Sequence, residues 1–178
     1  MATAFDLLGL ARHMEWADAV AWRTVLDSEA GRGDDRLRTW LHHMHTVQYS
    51  FLQIWKHEKP GFRPLEEFAE PSSLPRWGMD GHRQLQAFVT DLAPEMLARE
   101  IQLPWAGEVA RAQERTATHP TLEQTVMQVV MHSMHHRGQV NARLRELGGE
   151  PSLTDYIVWV WWGQPEAVWS FLADGARA

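Results

Sequence analysis

Apolar residues recur three and four positions apart in four long stretches of this chain, and that spacing is typical of amphipathic α-helices. The stretches run from Thr3 to Glu29, from Asp34 or Asp35 to Pro60, from about Pro75 to Leu92, and from Thr121 to Leu147. Glycines, prolines and short polar residues that cap helices stand at their ends. The pattern therefore predicts an all-α fold built on four long helices.

The connections between these stretches predict how the helices are joined. Residues 58–75 contain four prolines, so we expect an irregular connection, long enough to pass from one end of a helix bundle to the other. Residues 93–120 are expected to form a loop, with a short extended piece or hairpin near Ile101. A short helix is expected near residues 166–172. Together these features predict a single-domain four-helix bundle with a crossover, covering residues 1–178.

Composition and charge restrict the kinds of partner. The chain of 178 residues contains no cysteine, so a bound metal must rest on nitrogen and oxygen ligands. The formal net charge of −6 argues against nucleic acid as a partner. Residues 1–13 lack the positive start of a signal peptide, and no segment has the run of about 20 apolar residues that spans a membrane. We therefore expect a cytoplasmic protein with no membrane partner.

Histidines are numerous, ten in all, and two of them stand four residues apart in the fourth predicted helix. This spacing places His132 and His136 on one face, about a turn apart, where both can bind one metal ion. Such a pair is more often incidental than functional, so a third histidine on a facing helix would strengthen the interpretation considerably.

The second predicted helix carries three candidates for that third histidine. His43 lies one turn from both Trp40 and Val47, on the predicted core side, whereas His42 and His45 flank that face. We expect His43 to point inward and His45 to be rotated by about 200° from it. A solvated, histidine-rich patch is the alternative for His42 and His45.

A wider run of residues resembles the DinB/YfiT family. The sequence from residue 136 reads His-Arg-Gly-Gln-Val; it is preceded by His132 and followed by Leu-Arg-Glu-Leu-Gly-Gly-Glu-Pro at residues 144–151 and by Asp155-Tyr156. Trp16-Ala17-Asp18 is similar to the pattern of the family's first helix. The resemblance covers most of the chain and is strongest over residues 128–156. It implies a bundle whose four helices run up, down, down and up, and it implies a homodimer.

The resemblance also implies a metal site. In the family, a histidine of the second helix, followed five residues on by Glu or Gln, joins two histidines of the fourth helix as ligands. His43 with Gln48 fits that spacing. The implied ligands are His43, His132 and His136, with an open coordination position for water or substrate, and His45 is the reserve ligand. The ion is expected to be a divalent metal, with zinc or nickel favoured.

The implied chemistry depends on this neutral ligand set. Three neutral imidazoles leave a divalent ion with its full charge, so it can acidify a bound water or bind a thiolate. Some relatives resemble metal-dependent thiol S-transferases or isomerases that use low-molecular-weight thiols. The expected function is therefore a metal-dependent transferase or hydrolase acting on a small molecule, and the alternative is a non-catalytic, stress-associated metal-binding bundle.

Other residues carry weaker expectations. Gly138 is expected to allow close approach of another helix or a ligand, and Gln48 to hold a ligand imidazole or cap a pocket rim. Arg137 is expected either to orient substrate or to lie on a solvated face, and Asp18 to be a helix-surface acid. We expect three tryptophans of the tail to pack in the core or at a dimer interface rather than to line a substrate site: Trp159, Trp161 and Trp162.

Overall fold

The computed structural model describes residues 6–174, and in that range the secondary structure is helical, with no β-strand. The helices are α1 (Leu7–Asp27), α2 (Glu29–Arg32), α3 (Asp35–Trp55), α4 (Ser73–Thr90), α5 (Ala106–Ala112), α6 (Leu122–Glu146), α7 (Tyr156–Trp161) and α8 (Phe171–Asp174). Two 3-10 turns lie at Leu65–Glu67 and Pro94–Ala98. The all-α prediction is therefore confirmed. The predicted start of the first helix at Thr3 lies outside the described residues.

Local capping explains where three of the long helices begin. Asp6, Asp34 and Thr121 each accept, through the side chain, a hydrogen bond from the backbone N–H three residues on. α1 ends at Asp27 rather than at the glycines that follow, because Ser28 is extended and its side chain caps the short α2. The starts of these helices are thus fixed by residues next to them in the sequence.

The four long helices pack in a closed pattern of neighbours. α1 packs against α4 and α6, and α3 packs against the same two helices. Buried side chains form one apolar cluster that includes Met14, Phe51, Trp55, Leu122 and Val126, and a second that includes Trp22, Leu37, Leu41, Met44 and Leu144. Three of these helices carry buried polar side chains at positions between their contributions to the two apolar clusters. These residues are Asp18 in α1, His45 and Gln48 in α3, and Ser133 and Arg137 in α6. The middle of the helical core is therefore polar.

The connection from α4 to α6 is more helical than expected. Residues 93–120 contain a 3-10 turn and α5, and in the described range their pairing is limited to an isolated bridge between Glu100 and Thr121. The hairpin that was expected as one possibility is thus absent from this segment, and extended pairing is limited to that bridge. No helix in the described part of the chain is long and apolar enough to cross a membrane.

The tail helix is displaced from the predicted position. Residues 156–161 form α7, which the sequence does not predict, and the short helix expected near residues 166–172 overlaps α8 only at Phe171 and Leu172. Burial explains α7: Trp159 is 1 % exposed and packs against Trp16 of α1. A contact between residues far apart in sequence therefore selects this helix.

Candidate metal centre

Three histidines from two helices come together where α3 packs on α6. His132 and His136 lie one turn apart on α6, and His43 faces them from α3. Each offers one ring nitrogen, and these nitrogens all lie within 4.8 Å of one another. Nε2 of His132 is 3.3 Å from Nε2 of His43. Imidazole nitrogens at this separation can bind a single divalent cation.

The imidazoles of this group favour the neutral form. Burial, together with repulsion from His136 and His43, lowers the pKa of His132 to about 4. Burial also lowers the pKa of His43 and the pKa of His136, and the neighbouring imidazoles add to both shifts. Because the rings are unprotonated near neutral pH, a metal ion would not have to displace protons from them.

The donor set fits a metal ion. The side chain of Gln139 is a hydrogen-bonding partner for the His136 imidazole, and such a partner can hold a ring in the orientation that metal binding requires. Three histidine nitrogens suit a borderline-soft divalent cation such as zinc or nickel. In the described part of the chain no carboxylate joins the three rings, which leaves room for a further ligand from outside the protein.

The histidine group borders a cavity of about 770 Å³, and both His43 and His132 line it. His43 is exposed, and His136 is 9 % exposed. The rings of His43 and His132 are therefore reachable from the cavity, as a site that exchanges ligands requires.

His45 belongs to a different group. It is completely buried, whereas His43 is exposed, so the expectation that His43 points inward and His45 outward is wrong. Nδ1 of His45 donates to Oε1 of Gln48 at 2.7 Å, and Nε2 accepts from Nε1 of Trp22 at 2.8 Å. Gln48 thus orients His45 rather than a histidine of the candidate centre. The buried face of α3 includes polar residues. The apolar residues alone therefore do not identify which face of this helix is buried.

Asp18 lies at the centre of the buried polar network. Its Oδ1 accepts a hydrogen bond from Nη1 of Arg137 at 2.7 Å, and its Oδ2 accepts from Nε2 of Gln48 at 2.8 Å and lies 3.0 Å from Nε2 of His82. Burial alone would raise the pKa of Asp18, but the Arg137 charge and the His82 hydrogen bond hold it well below its usual value. Asp18 is therefore not a surface acid, and Arg137, which is 2 % exposed, neither lies on a solvated face nor is placed to orient substrate.

The buried network also brings ligand atoms of Asp18, His45 and His82 within 4.8 Å of one another. Hydrogen bonds to protein partners occupy both nitrogens of His45, so this group is a structural connection between helices rather than a second metal site. The sequence patterns above do not single out His82. The sequence feature that could have identified His82 is its spacing: it lies three residues before Leu85 and seven before Val89, on the buried face of α4.

Two weaker expectations are resolved by the surroundings of the residues. No atom of another helix lies within 4 Å of the position that a Gly138 side chain would occupy, so the expectation that another helix approaches closely there is wrong. Trp159 is a core residue as expected, whereas Trp161 and Trp162 are 73 % and 59 % exposed.

The fold and the site together define an all-helical protein with a candidate three-histidine metal centre. The model of the DinB family matches residues 10–167. The chain therefore belongs to the DinB family, which confirms the resemblance. Comparison with the curated proteins finds no similar sequence.

Proposed function

We propose that this DinB-family chain is a metal-dependent enzyme in which His43, His132 and His136 bind one divalent cation, either zinc or nickel. The observation that carries the proposal is the convergence of three neutral imidazoles beside a large cavity. Three protein ligands are typical of catalytic metal sites, since structural sites are usually closed by four. The proposed reaction is transfer to, or hydrolysis of, a small molecule, with a low-molecular-weight thiol as one candidate substrate.

The chain's own residues position the donors. When bound, the cation supplies Lewis acidity and lowers the pKa of a coordinated water or thiol. Ser133 and Arg137 each follow a proposed ligand on α6, and both are anchored in the buried network: Ser133 accepts from Gln48, and Arg137 donates to Asp18. These bonds hold the rotation of α6 that presents its two histidines to α3.

We further propose that the four long helices form a bundle in up-down-down-up order, with residues 56–72 as the crossover from α3 to α4. The two apolar clusters support this arrangement, because one joins the first turns of α1 and α6 with the last turns of α3 and α4, and the other joins the opposite ends of the same helices. A cytoplasmic location and a homodimer remain predictions from composition and resemblance.

A non-catalytic metal-binding role is the alternative, and one observation favours it. The described residues that line the cavity include no Asp, Glu, Lys or Arg. General acid–base catalysis there would depend on the histidines themselves or on a bound water. A stress-associated metal-binding bundle needs no such group.

A reaction screen separates the two functions. Wild-type protein loaded with zinc or nickel, the same protein stripped of metal, and a His136→Ala variant are offered small electrophiles with a thiol, and small esters and amides. The enzyme proposal expects turnover in the loaded wild type alone. Full metal occupancy without turnover in any of these classes favours the alternative, and equal turnover with and without metal contradicts a role for the ion.

A further inference from the structure

The cavity beside the histidine group has apolar walls. The aliphatic and aromatic side chains that line it are Val47, Phe51, Phe62, Leu103, Trp105 and Pro120. The ring of Trp105 packs edge-on against Phe51, with ring centroids 5.6 Å apart, which gives the wall a rigid aromatic corner. Because His43 and His132 line the same cavity, a molecule bound there lies against two of the proposed ligands.

Two of the hydroxyl groups that line the cavity already have partners within the protein. Ser50 donates its hydroxyl hydrogen to the carbonyl of Thr46. Thr125 donates to the carbonyl of Leu122 and accepts from Nε1 of Trp55. These groups therefore add little capacity to bind a strongly polar ligand.

The lining offers neutral hydrogen bonding and no counter-charge. The exposed amide of Gln128 lines the cavity, so it can pair with a single hydroxyl or carbonyl group of a ligand. Asp, Glu, Lys and Arg are absent from the described lining. An ion transferred into such surroundings loses hydration without gaining a partner, which costs several kcal/mol.

We propose that this cavity binds the uncharged, largely apolar body of a small molecule, aromatic or branched aliphatic, with one donor atom of that molecule facing His43 and His132. The inference rests on the proposed function of the metal centre and names a substrate class for it. The volume of about 770 Å³ falls within the range of about 300 to 1,000 Å³ that is usual for small-molecule sites.

The proposal is tested on metal-free protein with two fluorescent probes of one skeleton. N-phenyl-1-naphthylamine is neutral, and 1-anilinonaphthalene-8-sulfonate carries one negative charge. We expect the neutral probe to bind at about one per chain, with a Kd at least about tenfold below that of the sulfonate. Equal affinity for the two probes, or tighter binding of the sulfonate, overturns the proposal.

Matched variants locate the probe. Val47→Asp introduces a charge into the cavity wall and should weaken binding of the neutral probe at least about tenfold. Gln128→Glu introduces the same charge at an exposed lining position without changing shape, so it reports on the cavity even if Val47→Asp misfolds. Met131→Glu places a charge on an exposed part of α6 outside the lining and should leave affinity unchanged. If neither Val47→Asp nor Gln128→Glu changes the affinity for the neutral probe, the proposal is overturned.

One further measurement distinguishes failure of the proposed apolar site from failure of the proposed metal-dependent function. Zinc titration of the same metal-free preparation measures the histidine site independently of the probe. Zinc binding without preference for the neutral probe contradicts the substrate class and leaves the metal centre intact. Probe binding in the cavity without zinc binding supports the apolar site and contradicts the metal-dependent function.

Discussion

Asp18 keeps its charge in the interior because Arg137, Gln48 and His82 surround its two oxygens with donors. A buried carboxylate of this kind is stable only while its partners remain in place. The network spans four helices, so it ties the candidate metal centre to the core through the residues that follow His132 and His136.

Acid should remove the stabilisation that Asp18 provides. Its pKa is lowered from 3.8 on folding, with Arg137, His82 and His45 facing the carboxylate, so the unfolded chain binds the proton first. The stabilisation of the folded state by the ionised Asp18 is therefore present above about pH 4 and is lost as the pH falls further. Asp18→Asn should cost about 3–5 kcal/mol near neutral pH, because it leaves Arg137 buried without its counter-charge.

Urea unfolding at several pH values checks this prediction. The difference in unfolding free energy between wild type and Asp18→Asn should narrow as the pH falls from about 5 to about 2.5. Asp27→Asn is the control, because Asp27 lies on the same helix and its side chain is 71 % exposed. A constant difference across that range would contradict the assigned role.

His45 should matter for stability and not for metal retention. His45→Ala removes the partner of both Trp22 and Gln48 and leaves a cavity, which should cost about 2–4 kcal/mol of unfolding free energy. Chemical unfolding measures the loss, and dialysis against a mild chelator measures metal retention. Loss of metal from His45→Ala together with full retention in His43→Ala would reverse the assignment of the two residues.

At the scale of elements, α4 approaches α3 closely at two glycines. A Cβ added at Gly78 would overlap the ring of His45, and one added at Gly81 would lie 2.6 Å from Cε2 of Tyr49. The absence of side chains at these positions allows α4 to pack against the polar stretch of α3.

Gly78→Ala and Gly138→Ala form a matched pair of helical substitutions. The first should destabilise the protein by about 1–3 kcal/mol, because overpacking outweighs the gain in helix propensity. The second meets open space and should stabilise the protein by about 0.5–1 kcal/mol. Thermal or urea unfolding measures both, and a neutral or stabilising Gly78→Ala would show that the helices can separate without cost.

The elements could be predicted where local sequence fixes them. The apolar spacing and the caps at Asp34 and Thr121 define the long helices from adjacent residues alone. The rotation of α3 could not be obtained in this way, because its buried face is completed by His45 and Gln48, whose partners lie on other helices. The place of α7 depends on the distant Trp16 and was missed for the same reason.

The candidate site was only partly predictable. The spacing of His132 and His136 follows from helix geometry, and the resemblance to the family supplied His43. The core-side argument for His43 was wrong, since that residue is exposed. The cavity is assembled from α3, α6, the connection that follows α3 and the segment that precedes α6, and no sequence pattern reports such an assembly.

For the whole molecule, a homodimer remains the prediction. Trp161 and Trp162 are largely exposed, and exposed tryptophans of this size favour burial against a second copy. Light scattering at micromolar concentration should give twice the chain mass for the wild type. Trp161→Asp should shift the measured mass toward that of the monomer. Val109→Asp, at another exposed apolar position, is the control. A monomeric wild type would contradict the prediction.

Metal content tests the central claim most directly. Elemental analysis of protein purified without a histidine tag should give about one zinc or nickel ion per chain for the wild type and for His135→Ala, because His135 is exposed and is not among the three histidines whose nitrogens converge. His43→Ala, His132→Ala and His136→Ala should each fall well below that value while circular dichroism shows unchanged helical content, because the apolar clusters do not depend on the ion. Equal metal content in these three variants and the wild type would contradict the account.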